Sequence, residues 1–214
     1  MRKIIFIFLS VLTIAGCRMD TNVELYLGDV LDVARQNGSP LTSTGSLSIH
    51  VISSDECEKN KFEIIKIVSK YIDNVVDQGC IERDMNDFLE LSVDYAISTQ
   101  NEGSLIQLLV SSDENSYSVD YVMNRGKFDS LNAEVARIFS TDIEIDKSFI
   151  SLTVINDQKR IYVINISSAF VDGKPVIMGY TSLKKRGSVD MVFSDVHSSK
   201  LSSSNRVNLV SIEK

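Results

Sequence analysis

The stretch LELSVDYAI, residues 89–97, decides the fold class. Leu89, Leu91, Val93, Tyr95 and Ile97 alternate with Glu90, Ser92, Asp94 and Ala96. Successive side chains of a strand point to opposite faces, so this spacing makes one apolar and one polar face and predicts a half-buried strand. A strand with one face on the core and one in water belongs to an antiparallel sheet more readily than to a parallel one. Outward from it the pattern recurs. Val23, Leu25 and Leu27 alternate, as do Leu47, Ile49 and Val51. Residues 105–110 and 117–122 read as a strand pair, and Ile150, Leu152 and Val154 as another strand. Ile161 and Val163, then Val176, follow, and Val189, Met191 and Phe193 and then Val207, Leu209 and Ile212 complete the set. Asn156-Asp157 and Asp172-Gly173 stand where tight hairpin turns belong.

Helical spacing interrupts this pattern in a few places. Val30, Leu31 and Ala34 predict a short helix. Ser53 and Glu56 form a capping box, ahead of Phe62, Ile65, Val68 and Ile72 on one expected buried face. Asp129 or Ser130 is the expected cap of a further helix that buries Leu131, Val135 and Ile138. The serine-rich HSSKLSSSN, residues 197–205, reads as a loop before the last strand. The expected fold is α+β: one antiparallel-sheet-rich domain over residues 22–214 with two or three helices.

The first residues carry a different signal. Arg2 and Lys3 precede an apolar run, Ile4 to Leu12, that is too short for a permanent span of ~20 residues and suits a secretory leader. Ile14-Ala15-Gly16-Cys17 follows. This run resembles the lipobox of bacterial lipoproteins, in the position that family gives it. The resemblance implies that residues 1–16 are a signal peptide and that Cys17 is the lipidation site. It implies a diacylglyceryl thioether on Cys17, with residues 17–21 as a lipidated tether. It also implies an envelope location. Arg18 stands where Asp would mark inner-membrane retention, so the outer membrane, facing the periplasm, is the expected address in a Gram-negative host.

Charge narrows the partners. The chain carries 22 basic and 29 acidic residues, a formal −7. Loss of Arg2 and Lys3 with the leader leaves 20 basic residues and a formal −9. Nucleic acid needs a basic footprint, so it is not an expected partner. Attachment to a membrane would rest on acyl chains on Cys17. An envelope protein is the remaining candidate partner.

With Cys17 lipidated, Cys57 and Cys80 are an even pair in an oxidising compartment, and a disulfide is expected. An unbroken helix between them would hold the two ends ~30 Å apart, whereas a bridge needs Cα atoms within ~7 Å. The helix therefore has to stop early, near Tyr71, or the bridge does not form.

Catalytic signals are thin. His50 and His197 are the two histidines, and both read as surface residues without a nucleophile or a metal partner in sequence. Ser182 and Lys185 fit S-x-x-K, but the accompanying S-D-N and K-T-G elements are missing. Asp142, Glu144 and Asp146 would share one face of a strand, a weak candidate for a hard cation. A solvated face or a charge-protected edge is the favoured reading of them. No cofactor motif occurs.

The layout NVELYLGDVLDVAR, TGSLSIHV, Cys57 with its helix, Gly79-Cys80 and MNDFLELSV resembles a group of lipoproteins of bacteria and their phages. That resemblance supports the disulfide and the early helix stop and implies no activity. The expected function is therefore a non-enzymatic binding or structural module anchored in the envelope. If phage-derived, it would act in surface or superinfection exclusion. The alternative is a periplasmic carrier of a lipid or other apolar ligand.

Overall fold

The computed structural model describes residues 17–35, 39–140 and 142–214. The expected leader, residues 1–16, lies outside the described residues. In chain order the elements are β1 (Met19–Tyr26), α1 (Leu27–Arg35), β2 (Leu41–Val51), α2 (Ser54–Val68), β3 (Val76–Arg83) and β4 (Asn86–Ser98). Then come β5 (Ile106–Ser112), β6 (Ser116–Met123), α3 (Arg125–Phe139) and a 3-10 turn at Ile145–Lys147. The last third holds β7 (Ile150–Ile155), β8 (Tyr162–Val171), β9 (Lys174–Leu183), β10 (Ser188–Phe193), α4 (Asp195–Ser204) and β11 (Arg206–Glu213).

The fold is an α+β single domain built on one eleven-stranded sheet. Nine strands close into a ring in the order β10-β7-β1-β2-β4-β5-β6-β11-β8. Strand β8 makes the closure. It pairs β11 through Ile164–Ile166 and β10 through Ala169–Val171. Between these two pairings Ser168 takes a left-handed φ of 51°. Strand β3 lies beside the first half of β4, and β9 lies along the outer edge of β8. Two pairings, β1 with β7 and β4 with β5, are parallel. The sheet is thus mixed, predominantly antiparallel as expected but with two parallel pairings that the sequence did not signal. Closure causes this: β1 and β7 are brought together by the ring and not by a hairpin.

Residues 89–97 behave as the alternation predicts. Leu89, Leu91, Val93, Tyr95 and Ile97 are buried, while Glu90, Ser92, Asp94 and Ala96 are partly exposed. Inward residues of other ring strands, among them Leu25, Leu47, Leu108, Leu152 and Ile164, are also fully buried. A ring of this size leaves an interior that side chains can fill, and here they fill it.

Among the described residues four helices cover the ring, one more than the upper expectation. Helix α1 has its first turn capped from a distance: Asp157, in the turn after β7, accepts from Gly28 N at 2.8 Å. Helix α2 begins as predicted, with Glu56 N donating to Ser53 Oγ at 3.2 Å. Its buried face is Cys57, Ile64, Ile67 and Val68, whereas Phe62 is exposed. Helix α3 starts earlier than expected, at an Asn124 cap that accepts from Lys127 N. The expected loop at 197–205 is mostly α4, which buries His197, Ser198 and Leu201. Its serines hid it, because a helix buried through one leucine and two polar residues has almost no apolar stripe.

Helix α2 ends at Val68, with Ser69 as its C-cap, close to the expected stop. The chain then returns along β3, and Cys57 and Cys80 form a disulfide with Cα atoms 6.1 Å apart. The bridge ties a ring-covering helix to a strand outside the ring.

Candidate functional site

Two surface regions carry unusual chemistry. The first surrounds the start of β1. Cys17 is buried and forms an isolated bridge with Ile143, and its carbonyl accepts from Glu144 N at 2.7 Å. Burial pushes its thiol up to about 11. Addition of a lipid at this sulfur would require the side chain to leave the core, and one bridge and one hydrogen bond hold the backbone there. Strand β1 begins at Met19, so residues 19–21, expected in a tether, are paired with β2, and Thr21 with β7 as well.

Arg18 is locked in place. Its guanidinium lies over Phe88 at 5.1 Å and over Phe149 at 4.8 Å. Arg83 also lies over Phe88, at 4.7 Å. Arg18 Nε donates to Asp20 at 3.1 Å, and Phe149 N donates to the other oxygen of Asp20 at 2.9 Å. Burial raises the Asp20 pKa despite these donors and the two arginines. These residues line one end of a cleft of about 560 Å³ on the outer face of the ring. Asn22, Ser46, Ser48 and Ser151 form its floor, the outward positions of β1, β2 and β7. Small hydroxyls and amides on a sheet floor can hold a polar ligand; Asp20, Asp84, Glu90 and Asp190 also line the cleft, and Thr153 donates to Asp190 at 2.8 Å.

The second region is the β8–β9 pair. Strand β9 pairs β8 from Lys174 to Leu183 and, among the described residues, has no strand on its other side. Ile177, Met178 and Tyr180 are 87%, 86% and 78% exposed. From Lys174 through Gly187 there is no acidic residue, while Lys174, Lys184, Lys185 and Arg186 are basic. A basic, apolar edge therefore stands out from an acidic chain. The signal for it was in the sequence, in the charge-free run PVIMGYTSL between basic ends, and only the free edge gives it meaning.

The remaining candidates from the sequence disperse. Asp142, Glu144 and Asp146 do not share a strand face, because residues 145–147 form a 3-10 turn. Asn132 Nδ2 reaches Asp142 at 3.4 Å, and Glu144 pairs with Lys147 at 2.7 Å. Among the described residues no three His, Cys, Asp or Glu side chains gather to hold a metal. His50 is half-buried, edge-on to Phe88 with ring centroids 5.5 Å apart. His197 corrects the expectation of a surface residue: it is buried against Phe193 at 4.8 Å. His197 Nδ1 and Ser194 Oγ are buried without a hydrogen-bond partner. Ser182 lies in β9 and Lys185 in the turn after it.

A family model described as a domain of unknown function, DUF7424, matches residues 19–214, and the chain belongs to that family. The match starts at the first residue of β1. No curated protein matches the chain.

Proposed function

We propose that the chain is a lipid-anchored module of the bacterial cell envelope that acts by binding and not by catalysis. Its binding surface is the free edge of β9. The observation that carries this reading is the edge itself: ten residues long, unpaired on one side among the described residues, with Ile177, Met178 and Tyr180 exposed along it, and free of acids. Edge strands are ordinarily blunted by charge, proline or bulges because they invite pairing. Here Lys174 and Pro175 stand at one end and the basic run 184–186 follows the other, which leaves the middle open. An extended segment added to such an edge gains main-chain hydrogen bonds, with side-chain contacts supplying selectivity. The fitting partner is an envelope protein offering a strand with acidic flanks. Basic residues at both ends disfavour a second copy, since antiparallel self-pairing would set like charges together.

The filled ring interior favours this module over the carrier, which would need an apolar cavity. For a phage-derived chain the partner would be a surface receptor or a component of DNA entry.

The test places a photo-crosslinking residue at Met178 in cells. A discrete adduct with one envelope protein is expected, lost when Lys184, Lys185 and Arg186 are all changed to Glu. If the partner serves phage entry, plating efficiency falls in expressing cells and recovers with the same triple change. Membrane-bound protein without any Met178 adduct would overturn the edge as binding surface. Cys17→Ser is expected to release the chain from membranes, and unchanged fractionation with no acyl mass on the wild type would overturn the anchor.

A further inference from the structure

We infer that the Cys17 end of the ring rests directly on the lipid surface, with Ile52, Met85, Phe149 and Val196 entering it. The inference rests on the lipid-anchor reading above. Its first support is the lack of slack. Arg18 is pinned by two phenylalanine rings and Asp20, and its carbonyl accepts from His50 N at 2.9 Å. Strand β1 follows at Met19. Two residues at most separate an acylated sulfur from the sheet, roughly 7 Å of extended chain. A domain on so short a leash cannot stand off from the bilayer.

The second support is what surrounds that point. Ile52, Met85, Phe149 and Val196 are 65%, 95%, 38% and 64% exposed. They come from four places in the chain, and contacts bring each to the same end. Ile52 follows β2 just past His50, the residue that bonds to Arg18. Phe149 lies under the Arg18 guanidinium. Met85 is in the β3–β4 turn, two residues from Arg83, which shares Phe88 with Arg18. Val196 is in the first turn of α4, whose Ser198 donates to Ser148 O at 2.6 Å, and Ser148 Oγ in turn accepts from Met19 N at 3.1 Å. No local pattern unites these four side chains. Arg18 and Arg83 stand among them beside Asp20 and Asp84, so the apolar groups and not net charge supply the attraction.

The chain has no tryptophan, so a single introduced one reports depth without background. Full-length, lipidated protein carrying Met85→Trp, Val196→Trp or Tyr26→Trp is reconstituted on phosphatidylcholine vesicles containing brominated chains. Tyr26 ends β1, about 23 Å along the strand from Met19, and serves as the distant reporter. Emission of Met85→Trp and Val196→Trp is expected to shift blue and lose most of its intensity, with Tyr26→Trp unchanged. Acyl mass and flotation are read on the same samples. Acylated, floating protein with all three reporters unquenched overturns the seating and leaves the anchor standing. Quenching at Met85 and Val196 without acyl mass supports the seating and overturns the anchor. Protein that lacks acyl mass, does not float and is not quenched overturns both.

Discussion

Tyr95 covers Gly45: a Cβ built on Gly45 would meet Tyr95 Cε2 at 2.7 Å. The same atom would stand 2.2 Å from the Asn22 carbonyl oxygen, which is backbone and cannot swing away. Tyr95 is fixed from its far end, donating to Ser46 O at 2.8 Å. The close passage of β1, β2 and β4 thus requires the absence of a side chain at one position. Gly45→Ala is expected to destabilise the protein by about 2–3 kcal/mol, the upper part of the range for overpacking a filled core. Urea unfolding of the two forms checks it, and an unchanged midpoint would refute the tight passage.

The Cys57–Cys80 bridge closes a 23-residue separation. In the chain-entropy description, removing it costs about 3 kcal/mol. The double change of both cysteines to Ala is expected to lower the melting temperature, and reductant is expected to lower that of the wild type only. Equal thiol counts with and without reductant would show that no bridge forms.

His197 predicts a pH dependence. Burial lowers its pKa below the ordinary 6.5, a hydrogen bond with the Asn208 backbone opposes this, and Lys200 adds to the lowering. The unfolded chain therefore takes up the proton first as pH falls. The stability that neutral His197 contributes is complete above the unfolded value and is lost as pH drops below it. Denaturation midpoints at about pH 7.5 and about pH 5.5 are expected to diverge more for the wild type than for His197→Gln. Equal divergence would assign the effect to other groups.

Asp120 and Arg206 join β6 to β11. Arg206 Nε donates to Asp120 at 2.6 Å, and Asn208 Nδ2 donates to its other oxygen at 2.7 Å. Asp120 is buried while Arg206 is half-exposed. Arg206→Ala removes both the Nε and the Nη2 contacts to the acid and leaves it with Asn208. The expected loss is about 1–3 kcal/mol, below the cost of breaking a fully buried pair because solvent reaches the arginine. A double-mutant cycle with Asp120→Asn isolates the coupling; a coupling near zero would refute it.

Part of the α2–β3 region was legible because the signals were local. Ser53 and Glu56 are three residues apart, and the cap they make needs nothing from the rest of the chain. The Cys57–Cys80 pair was expected from the even count left once Cys17 is set aside, and the limit on helix length then required α2 to stop early. Strand β3 was missed because it is exposed on both faces over much of its length and so lacks alternation. Asn156 shows the limit from another side. It reads as a turn residue, yet it is fully buried, and its Nδ2 donates to Arg160 O, Leu183 O and Lys184 O. Three separate carbonyls define that role, and none is announced by neighbouring letters.

For the surface, the same division holds. The basic run 184–186 was visible in the sequence; its importance comes from β9 lacking a second neighbour among the described strands. The carboxylates Asp142, Glu144 and Asp146 showed the spacing of a strand face, and the chain turned there instead, because the Glu144–Lys147 pair and the 3-10 bonds close locally.

The sequence alone determined most of the strands, where two of the helices lie, which way LELSVDYAI faces, and which two cysteines were expected to bridge. Those properties depend on period, on caps and on chain length, and are written within a few residues of each other. Tertiary structure alone decided that the sheet closes, that β1 meets β7 in parallel, that β9 is left with a free edge, and that Ile52, Met85, Phe149 and Val196 meet at one end. Closure depends on pairing strands that are far apart in the chain, such as Thr21 with Ile150 and Ile166 with Val210, where shape and not spacing selects the partner.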